Sequence, residues 1–427
     1  MQSLKNKVFN ALRSSERLFK LDMVYLAKGG WWTTLSFLVG ILASVITMIA
    51  FGNLLPRETY GTYNYLLSLG ASLSFLTLTG IGAPVMRAVA RGYESVVPTA
   101  LRFQLKYNLL AVATILTAAA YYGYKGNALF AGSLAMLAFA YPIAEAFHIY
   151  AQVLTGKKRF DTLTKVTSAI TLLGALITVA ALLLTDNILI LIGLYASMAL
   201  LPKIIIYAFV TRHLDKTPPD PQQVREMKRT AFHLTYAGVI GVISSYIDKI
   251  ILFQVAGPAA LAVYGFAIAG PERLKSLIKN WMSIALPRLA NKSLEQIRQI
   301  VYQRLTLSLA VGLSLTLFYW FSAPILFKIF LPRYLDAILY SQVLSLGLIV
   351  TPISVYIGSI FASQNMLRAT YALNIGVPIV RIALYLVFVW LWQIWGLVAA
   401  SLLSSTINAF YSIIIWEVEI RRLSKQN

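Results

Sequence analysis

Residues 31–51 read WWTTLSFLVGILASVITMIAF and contain no charged side chain. A helix of about 20 apolar residues is long enough to cross the hydrocarbon core of a bilayer. Similar stretches recur along the chain almost without pause. They predict an all-α, polytopic membrane protein with twelve transmembrane spans, at roughly residues 31–51, 62–84, 105–124, 127–154, 164–185, 187–210, 231–254, 258–285, 300–322, 335–363, 368–391 and 394–416.

The composition of the chain leads to the same fold class. Of its 427 residues, 58% are hydrophobic and 12% are charged, whereas soluble domains average about 45–50% and about 25%. A soluble enzyme is therefore excluded. The chain has no Cys, and its three His residues do not have the spacing of a metal site. No metal ion or other cofactor is expected.

The basic residues are distributed unevenly along the chain, which has a net charge of +21. With both termini in the cytoplasm, 31 of the 37 Lys and Arg lie in cytoplasmic segments and helix ends, and 4 lie in outer loops. The positive-inside rule predicts this orientation, in the inner (plasma) membrane of the cell. Topology and anionic membrane lipids explain the charge, so nucleic acid is not an expected partner.

A polar, Pro-rich segment divides the spans into two sets of six. Similar turns follow the first and seventh spans, FGNLLP at 51–56 and FQVAGP at 253–258, and they indicate an internal repeat. Two repeats of six spans are related by a pseudo-two-fold axis along the membrane normal, with a cavity between the lobes. The predicted organisation is an interfacial segment at 1–30, an N-lobe at 31–211, a linker at 212–230, a C-lobe at 231–417 and a tail at 418–427.

Polar and ionisable residues within the spans identify candidate sites. An ionisable group in hydrocarbon costs about 2.5–3.5 kcal/mol on insertion scales, so it usually faces a cavity or a partner. Arg381 is the strongest candidate, because it lies too deep in its span to reach water easily. The full set is Arg87 on span two, Glu145 and His148 on span four, Asp248 and Lys249 on span seven, Arg273 on span eight, and Tyr371, Asn374 and Arg381 on one face of span eleven.

Structural interpretations of these residues remain open from the sequence alone. Glu145 and His148 are one turn apart and can satisfy each other. Asp248 and Lys249 can form an internal ion pair. Basic residues near the inner end of span eight can extend to the membrane surface, which leaves Arg273 as the functional candidate there.

Three stretches resemble the bacterial polysaccharide-biosynthesis flippases. They are FGNLLPRETYGTY at 51–63, YIDKIIL at 246–252 followed by VYGFA at 263–267, and PRLA at 287–290. These flippases, which include O-antigen flippases, belong to the multidrug/oligosaccharidyl-lipid/polysaccharide exporter superfamily. Together with the twelve spans, the resemblance covers nearly the whole chain.

The resemblance implies a V-shaped transporter rather than an enzyme. Its members move an undecaprenyl-diphosphate-linked oligosaccharide from the inner to the outer leaflet by alternating access. On this interpretation Arg381, Arg273 and Arg87 contact the diphosphate or sugar, with Lys249, Asn374 and Tyr371 beside them. Glu145, His148 and Asp248 are the candidates for coupling a proton or a sodium ion, as in an antiporter.

Three other functions compete with this interpretation. A multidrug or organic-cation exporter of the same superfamily predicts a mainly acidic, aromatic cavity. A membrane-embedded glycosyltransferase, polymerase or ligase requires an outer loop with catalytic residues, and the longest outer loop holds little beyond Arg333 and Asp336. A passive scramblase or a purely structural membrane protein also agrees with the sequence.

Overall fold

The computed structural model describes residues 23–212, 214, 217–290, 293–364 and 366–423. Most of the predicted interfacial segment (1–22), three linker residues (213, 215 and 216) and the end of the tail (424–427) lie outside the described residues. The described residues form helices and no strands. The α-helices are α1 Met23–Leu54, α2 Arg57–Leu73, α3 Gly82–Ala90, α4 Val96–Tyr124, α5 Ala128–Phe147, α6 Ile149–Gly156, α7 Phe160–Leu184, α8 Ile188–Thr211, α9 Pro221–Ser244, α10 Ile247–Ala290, α11 Leu294–Phe330, α12 Ala337–Ser345, α13 Gly347–Ser363 and α14 Leu367–Leu423.

The described helices accommodate the twelve predicted crossings. Nine helical stretches are long and apolar enough to span a membrane, and a tenth consists of two segments bent by 62°. Two of the ten hold 62 and 56 residues, more than twice the length that one crossing needs. Each consists of helices joined across a kink, at Gly257 (φ 81°) and at Gln393 (φ 50°). The predicted fold class is confirmed.

Four predicted spans are not continuous helices, which corrects the sequence-based prediction. Span two is broken between α2 and α3, where two short 3-10 turns replace the α-helix. Spans four, seven and ten are broken at His148, at Ser245–Tyr246 and at Leu346. Hydropathy does not detect these breaks because the residues around them remain apolar on average.

Two buried amides on α4 bond the backbone at the break between α2 and α3, and one of them also bonds the backbone of α5. Asn108 Oδ1 accepts from the Leu78 N–H at 2.9 Å, and Gln104 Nε2 donates to the Leu78 carbonyl at 3.2 Å. Asn108 Nδ2 also donates to the Pro142 carbonyl in α5 at 2.7 Å. Irregular backbone at membrane depth is tolerated only where such neighbours satisfy its hydrogen bonds. Gln104 and Asn108 are therefore structural residues.

The hydrophobic core shows that the molecule is closed at one end. One cluster contains residues of both halves of the chain, including Leu55, Tyr65, Tyr264 and Tyr334. We call this the sealed end. Away from it the described residues form three smaller clusters. Two lie mainly in the first half, around Val89 and around Tyr150, and the third lies in the second half and is formed by α10, α11, α13 and α14. We call that end, where the halves have separate cores, the open end.

Helix α9 packs against the first half of the chain at the open end. Met227 and Ala231 belong to the first-half cluster around Val89, and the Gly80 N–H donates to Thr235 Oγ1 at 3.0 Å. Phe232 contacts Phe103 with ring centroids 5.6 Å apart. The predicted C-lobe thus begins with a helix that adjoins the N-lobe, and the lobe boundaries stay a prediction.

Candidate functional site

A cavity with a volume of about 1220 Å³ lies mainly within the second half of the chain. Helices α9, α10, α13 and α14 form most of its wall, and the first half contributes Tyr60 and Asn64 from α2. We call it the main cavity. Its lining extends from Tyr60 near the sealed end to Lys279 and Leu367, which are exposed. The cavity is therefore displaced toward one half rather than shared equally between two lobes.

The structure brings most of the predicted substrate-binding residues together. The main cavity is lined by Arg381, Arg273, Lys249, Asn374 and Tyr371. Arg87 is not among them, because it is exposed in the last turn of α3, away from the cavity wall. The segment that carries Arg87 is bent by 62° from the segment before it, so Arg87 does not continue the line of α2.

Basic side chains outnumber acidic ones in the wall of the main cavity. Its described lining residues include the bases Lys249, Arg273, Lys275, Lys279 and Arg381, and the acids Asp248 and Glu272. Lys275 Nζ pairs with Glu272 Oε1 at 2.8 Å. The net charge of the cavity is therefore positive, which suits an anionic ligand.

Arg381 is held at the cavity wall with most of its donors free. Its Nε donates to Ser404 Oγ at 3.1 Å, and both cavity carboxylates lie within electrostatic range. The other four guanidinium N–H groups form no hydrogen bond to the described residues. A guanidinium oriented in this way can present its planar fork to phosphate oxygens.

Asp248 is buried in the wall of the same cavity, with 6% of the residue exposed. Its Oδ2 accepts a hydrogen bond from the Tyr264 hydroxyl at 3.0 Å, whereas Oδ1 has no partner among the described residues. Within the described side chains, no ion pair within 4 Å joins Asp248 to Lys249, although Lys249 lies within electrostatic range, and the ion-pair interpretation stays a prediction. An unpartnered carboxylate oxygen can receive a proton or coordinate a cation.

One further contact in this region was not predicted from the sequence. The Tyr371 hydroxyl is hydrogen-bonded to His233 Nε2, which joins α14 to α9. The contact is exposed. Nothing in the sequence pairs residues that lie 138 positions apart.

A second cavity of about 550 Å³ adjoins the first along α9. It is lined by Glu145, Tyr141 and Tyr246, and Gly238, Gly241 and Ser245 line both cavities. His148 Nδ1 is buried without a hydrogen-bond partner among the described residues, and no hydrogen bond joins Glu145 to His148. Lys203 on α8 lies within electrostatic range of both.

The sealed end is closed by direct contact between the two halves of the chain. Gly61 on α2 packs against the turn at Gly257–Pro258, and a Cβ atom on Gly61 would lie 1.9 Å from the Pro258 carbonyl oxygen. Tyr65 stacks on Phe253 with ring centroids 3.9 Å apart. Only a glycine permits such a close backbone approach.

An exposed ion pair adds to this closure. Arg57 at the start of α2 forms two hydrogen bonds to Asp336, at 2.8 and 3.0 Å, and lies over the ring of Tyr334. The two side chains are 38% and 47% exposed. A pair this exposed contributes about 0–1 kcal/mol, so close packing at Gly61 is the stronger determinant of closure.

Comparison with protein families gives a match over more than half of the chain. A family described as Polysaccharide biosynthesis protein matches residues 26–270. The chain belongs to this family. The resemblance inferred from the motifs is therefore confirmed. Comparison with the curated proteins gives no match.

Solved structures with the same fold are transporters of the multidrug/oligosaccharidyl-lipid/polysaccharide (MOP) exporter superfamily. An inward-facing MATE multidrug-resistance transporter has a TM-score of 0.65 and 14% identity, covering 90% of this chain and 96% of its own. The outward-facing conformation of such a transporter has a TM-score of 0.61 and 14% identity, covering 93% and 96%. A MOP transporter from Pyrococcus furiosus with a binding pocket of reverse polarity has a TM-score of 0.58 and 14% identity, covering 94% of this chain and 95% of its own. The family member therefore has the two-lobed fold of these transporters.

Proposed function

We propose that this family member is a flippase for a lipid-linked oligosaccharide attached through a diphosphate to a polyprenyl chain. The observation that carries this proposal is the main cavity, where five basic side chains and two acidic ones face a solvent-accessible space at membrane depth. A diphosphate is the anionic part of such a lipid. Arg381 is the best-oriented group to bind it, with Arg273 and Lys249 in the same wall.

A polar path is what this kind of substrate needs in order to cross a bilayer. Each sugar hydroxyl transferred into hydrocarbon without a partner costs about 4–8 kcal/mol on a cyclohexane scale. A glycan with many hydroxyls therefore does not cross unaided. A hydrated cavity supplies hydrogen-bonding partners for the glycan while the polyprenyl chain stays in the lipid.

The positive-inside orientation gives the two ends of the molecule a functional meaning. It places the turn at Leu55–Pro56 and the ion pair of Arg57 outside, so the sealed end faces outward. The open end then faces the cytoplasm, where the lipid-linked substrate is made. In this assignment both termini are cytoplasmic, and the described conformation is ready to accept substrate from the inner leaflet of the plasma membrane.

An exporter of organic cations is the alternative, and it is favoured by the fold shared with MATE multidrug-resistance transporters. The charge of the main cavity argues against it, because the lining presents an excess of positive groups to a positively charged drug. One of the similar transporters is described by its reversed pocket polarity. The fold is therefore compatible with pockets of either sign.

The flippase and the organic-cation exporter predict different results in assays of lipid transfer and of dye resistance. We expect the full-length protein in vesicles to bring an undecaprenyl-diphosphate-linked N-acetylglucosamine lipid to the opposite leaflet faster than protein-free vesicles do, as read by lectin binding outside. We expect cells that overproduce the protein to gain no resistance to cationic dyes. Dye resistance without lipid transfer would replace the flippase proposal with the exporter.

Asp248 is the best-placed residue for coupling to a proton or a sodium ion. We expect Asp248→Asn to bind the lipid substrate normally but to lose the acceleration of transfer that an imposed proton or sodium gradient produces, because an amide neither ionises nor attracts a cation. Gradient-dependent initial rates measure this effect. Ser341→Ala, at a buried hydroxyl outside both cavities, is the control. An unchanged gradient response in the Asp248 variant would remove Asp248 from coupling and leave Glu145 and His148 as candidates.

A further inference from the structure

The second cavity contains groups that binding of a diphosphate does not use. Tyr141 and Tyr246 contribute aromatic rings to its wall, and Glu145 contributes a carboxylate. Glu145 forms no hydrogen bond or ion pair with the described residues, although it lies within a membrane span. Lys203 and His148 lie within electrostatic range of Glu145 but donate no hydrogen bond to it, so its oxygens can accept hydrogen bonds from a ligand.

The two cavities meet along one face of α9 where the side chains are small. Gly238, Gly241 and Ser245 line both of them. Among the described residues, no atom lies within 4 Å of the position that a Cβ would occupy on Gly238 or Gly241. A ligand in the main cavity can therefore extend past α9 into the second cavity without displacing a side chain.

The chemistry of the two walls differs in a way that matches the two parts of a glycosylated diphosphate. The main cavity is rich in cations, which pair with phosphate oxygens. In the second cavity, a carboxylate can accept hydrogen bonds from several hydroxyl groups. Aromatic rings add flat surfaces with a negative face, against which the C–H face of a sugar ring can pack. With a volume of about 1220 Å³, the main cavity alone exceeds the usual 300–1,000 Å³ or so of a drug-sized site.

We propose that the second cavity is a saccharide subsite for the sugars next to the diphosphate, which is held at Arg381. This inference rests on the proposed flippase function. Glu145 accepts hydrogen bonds from sugar hydroxyls, and Tyr141 and Tyr246 pack against the ring. Lys203 and His148 lie within electrostatic range of Glu145 but do not line the second cavity, so they act on its charge rather than contact the sugar.

Binding of matched lipids by the purified full-length chain in lipid nanodiscs tests this assignment. The probes are bare undecaprenyl diphosphate and the same lipid carrying one N-acetylglucosamine, one N-acetylgalactosamine or one galactose. The wild type is expected to bind at least one glycosylated probe about tenfold more tightly than the bare lipid, because a carboxylate hydrogen bond is among the strong ones. Glu145→Ala is expected to remove this preference.

A second variant tests the path between the cavities independently of Glu145. Gly241→Leu adds a side chain where there is open space, so it is expected to fold normally while blocking the passage along α9. It should also remove the preference for the glycosylated probe. Gly174→Leu on α7 is the matched control, because its Cβ also meets no atom within 4 Å and Gly174 lines neither cavity.

The outcomes separate this inference from the proposed function. The subsite is wrong if the wild type binds no glycosylated probe more tightly than the bare lipid. It is equally wrong if Glu145→Ala weakens both kinds of probe to the same extent, the result expected of an ion-coupling residue. Failure of the wild type to bind any of the four lipids, or unchanged binding of all of them by Arg381→Ala, would contradict the flippase proposal itself.

Discussion

Replacing Arg381 with Ala is expected to slow transfer of a lipid-linked glycan by about 10- to 100-fold, because a hydrogen bond to a charged group contributes about 1.5–3 kcal/mol and about 1.4 kcal/mol is tenfold. The variant loses the guanidinium that Ser404 holds toward the main cavity. Initial rates of lipid transfer in vesicles measure the effect, with equal amounts of folded protein.

Two companion variants separate the contributions of charge and geometry at Arg381. Arg381→Lys keeps the charge but loses the planar fork, so we expect an intermediate rate. Arg87→Ala is the matched control, since Arg87 is exposed and lies outside both cavities. A normal rate in Arg381→Ala, or an equal loss in Arg87→Ala, would remove Arg381 from the binding site.

Replacing Gly61 with Ala is expected to keep the sealed end from closing and to reduce transfer at least about tenfold, because alternating access requires each end to close in turn. The added Cβ would lie 1.9 Å from the Pro258 carbonyl oxygen, a backbone atom that no side-chain rotation can move away. The halves must then separate locally, which also disturbs the stacking of Tyr65 on Phe253.

The absence of Cys from the chain makes this separation directly measurable. A single Asn64→Cys reporter places a thiol in the main cavity. We expect a membrane-impermeant thiol reagent added from the outer side to label this reporter faster when Gly61→Ala is present. Gly174→Ala is the control, because its Cβ has open space. Unchanged labelling together with full transfer would show that closure does not depend on Gly61.

The grouping of three site residues on one face of α14 was predictable because helical geometry alone determines it. Tyr371, Asn374 and Arg381 fall on one face of a helix with 3.6 residues per turn, and the structure places all three in the wall of one cavity. Arg87 has the same chemistry, yet its position depends on the break between α2 and α3. That break depends in turn on Asn108 and Gln104, two amides on a different helix.

The order of apolar and basic segments was sufficient to predict a membrane protein of twelve crossings, because bilayer thickness and the cost of burying charge act on each segment separately. Which segments touch was decided only in the tertiary structure. The approach of Gly61 to Pro258, the packing of α9 against the first half and the two cavities that adjoin along α9 all depend on contacts between distant parts of the chain. Hydrophobic attraction distinguishes poorly between helices that are all apolar, so close packing and a few polar bonds select their partners.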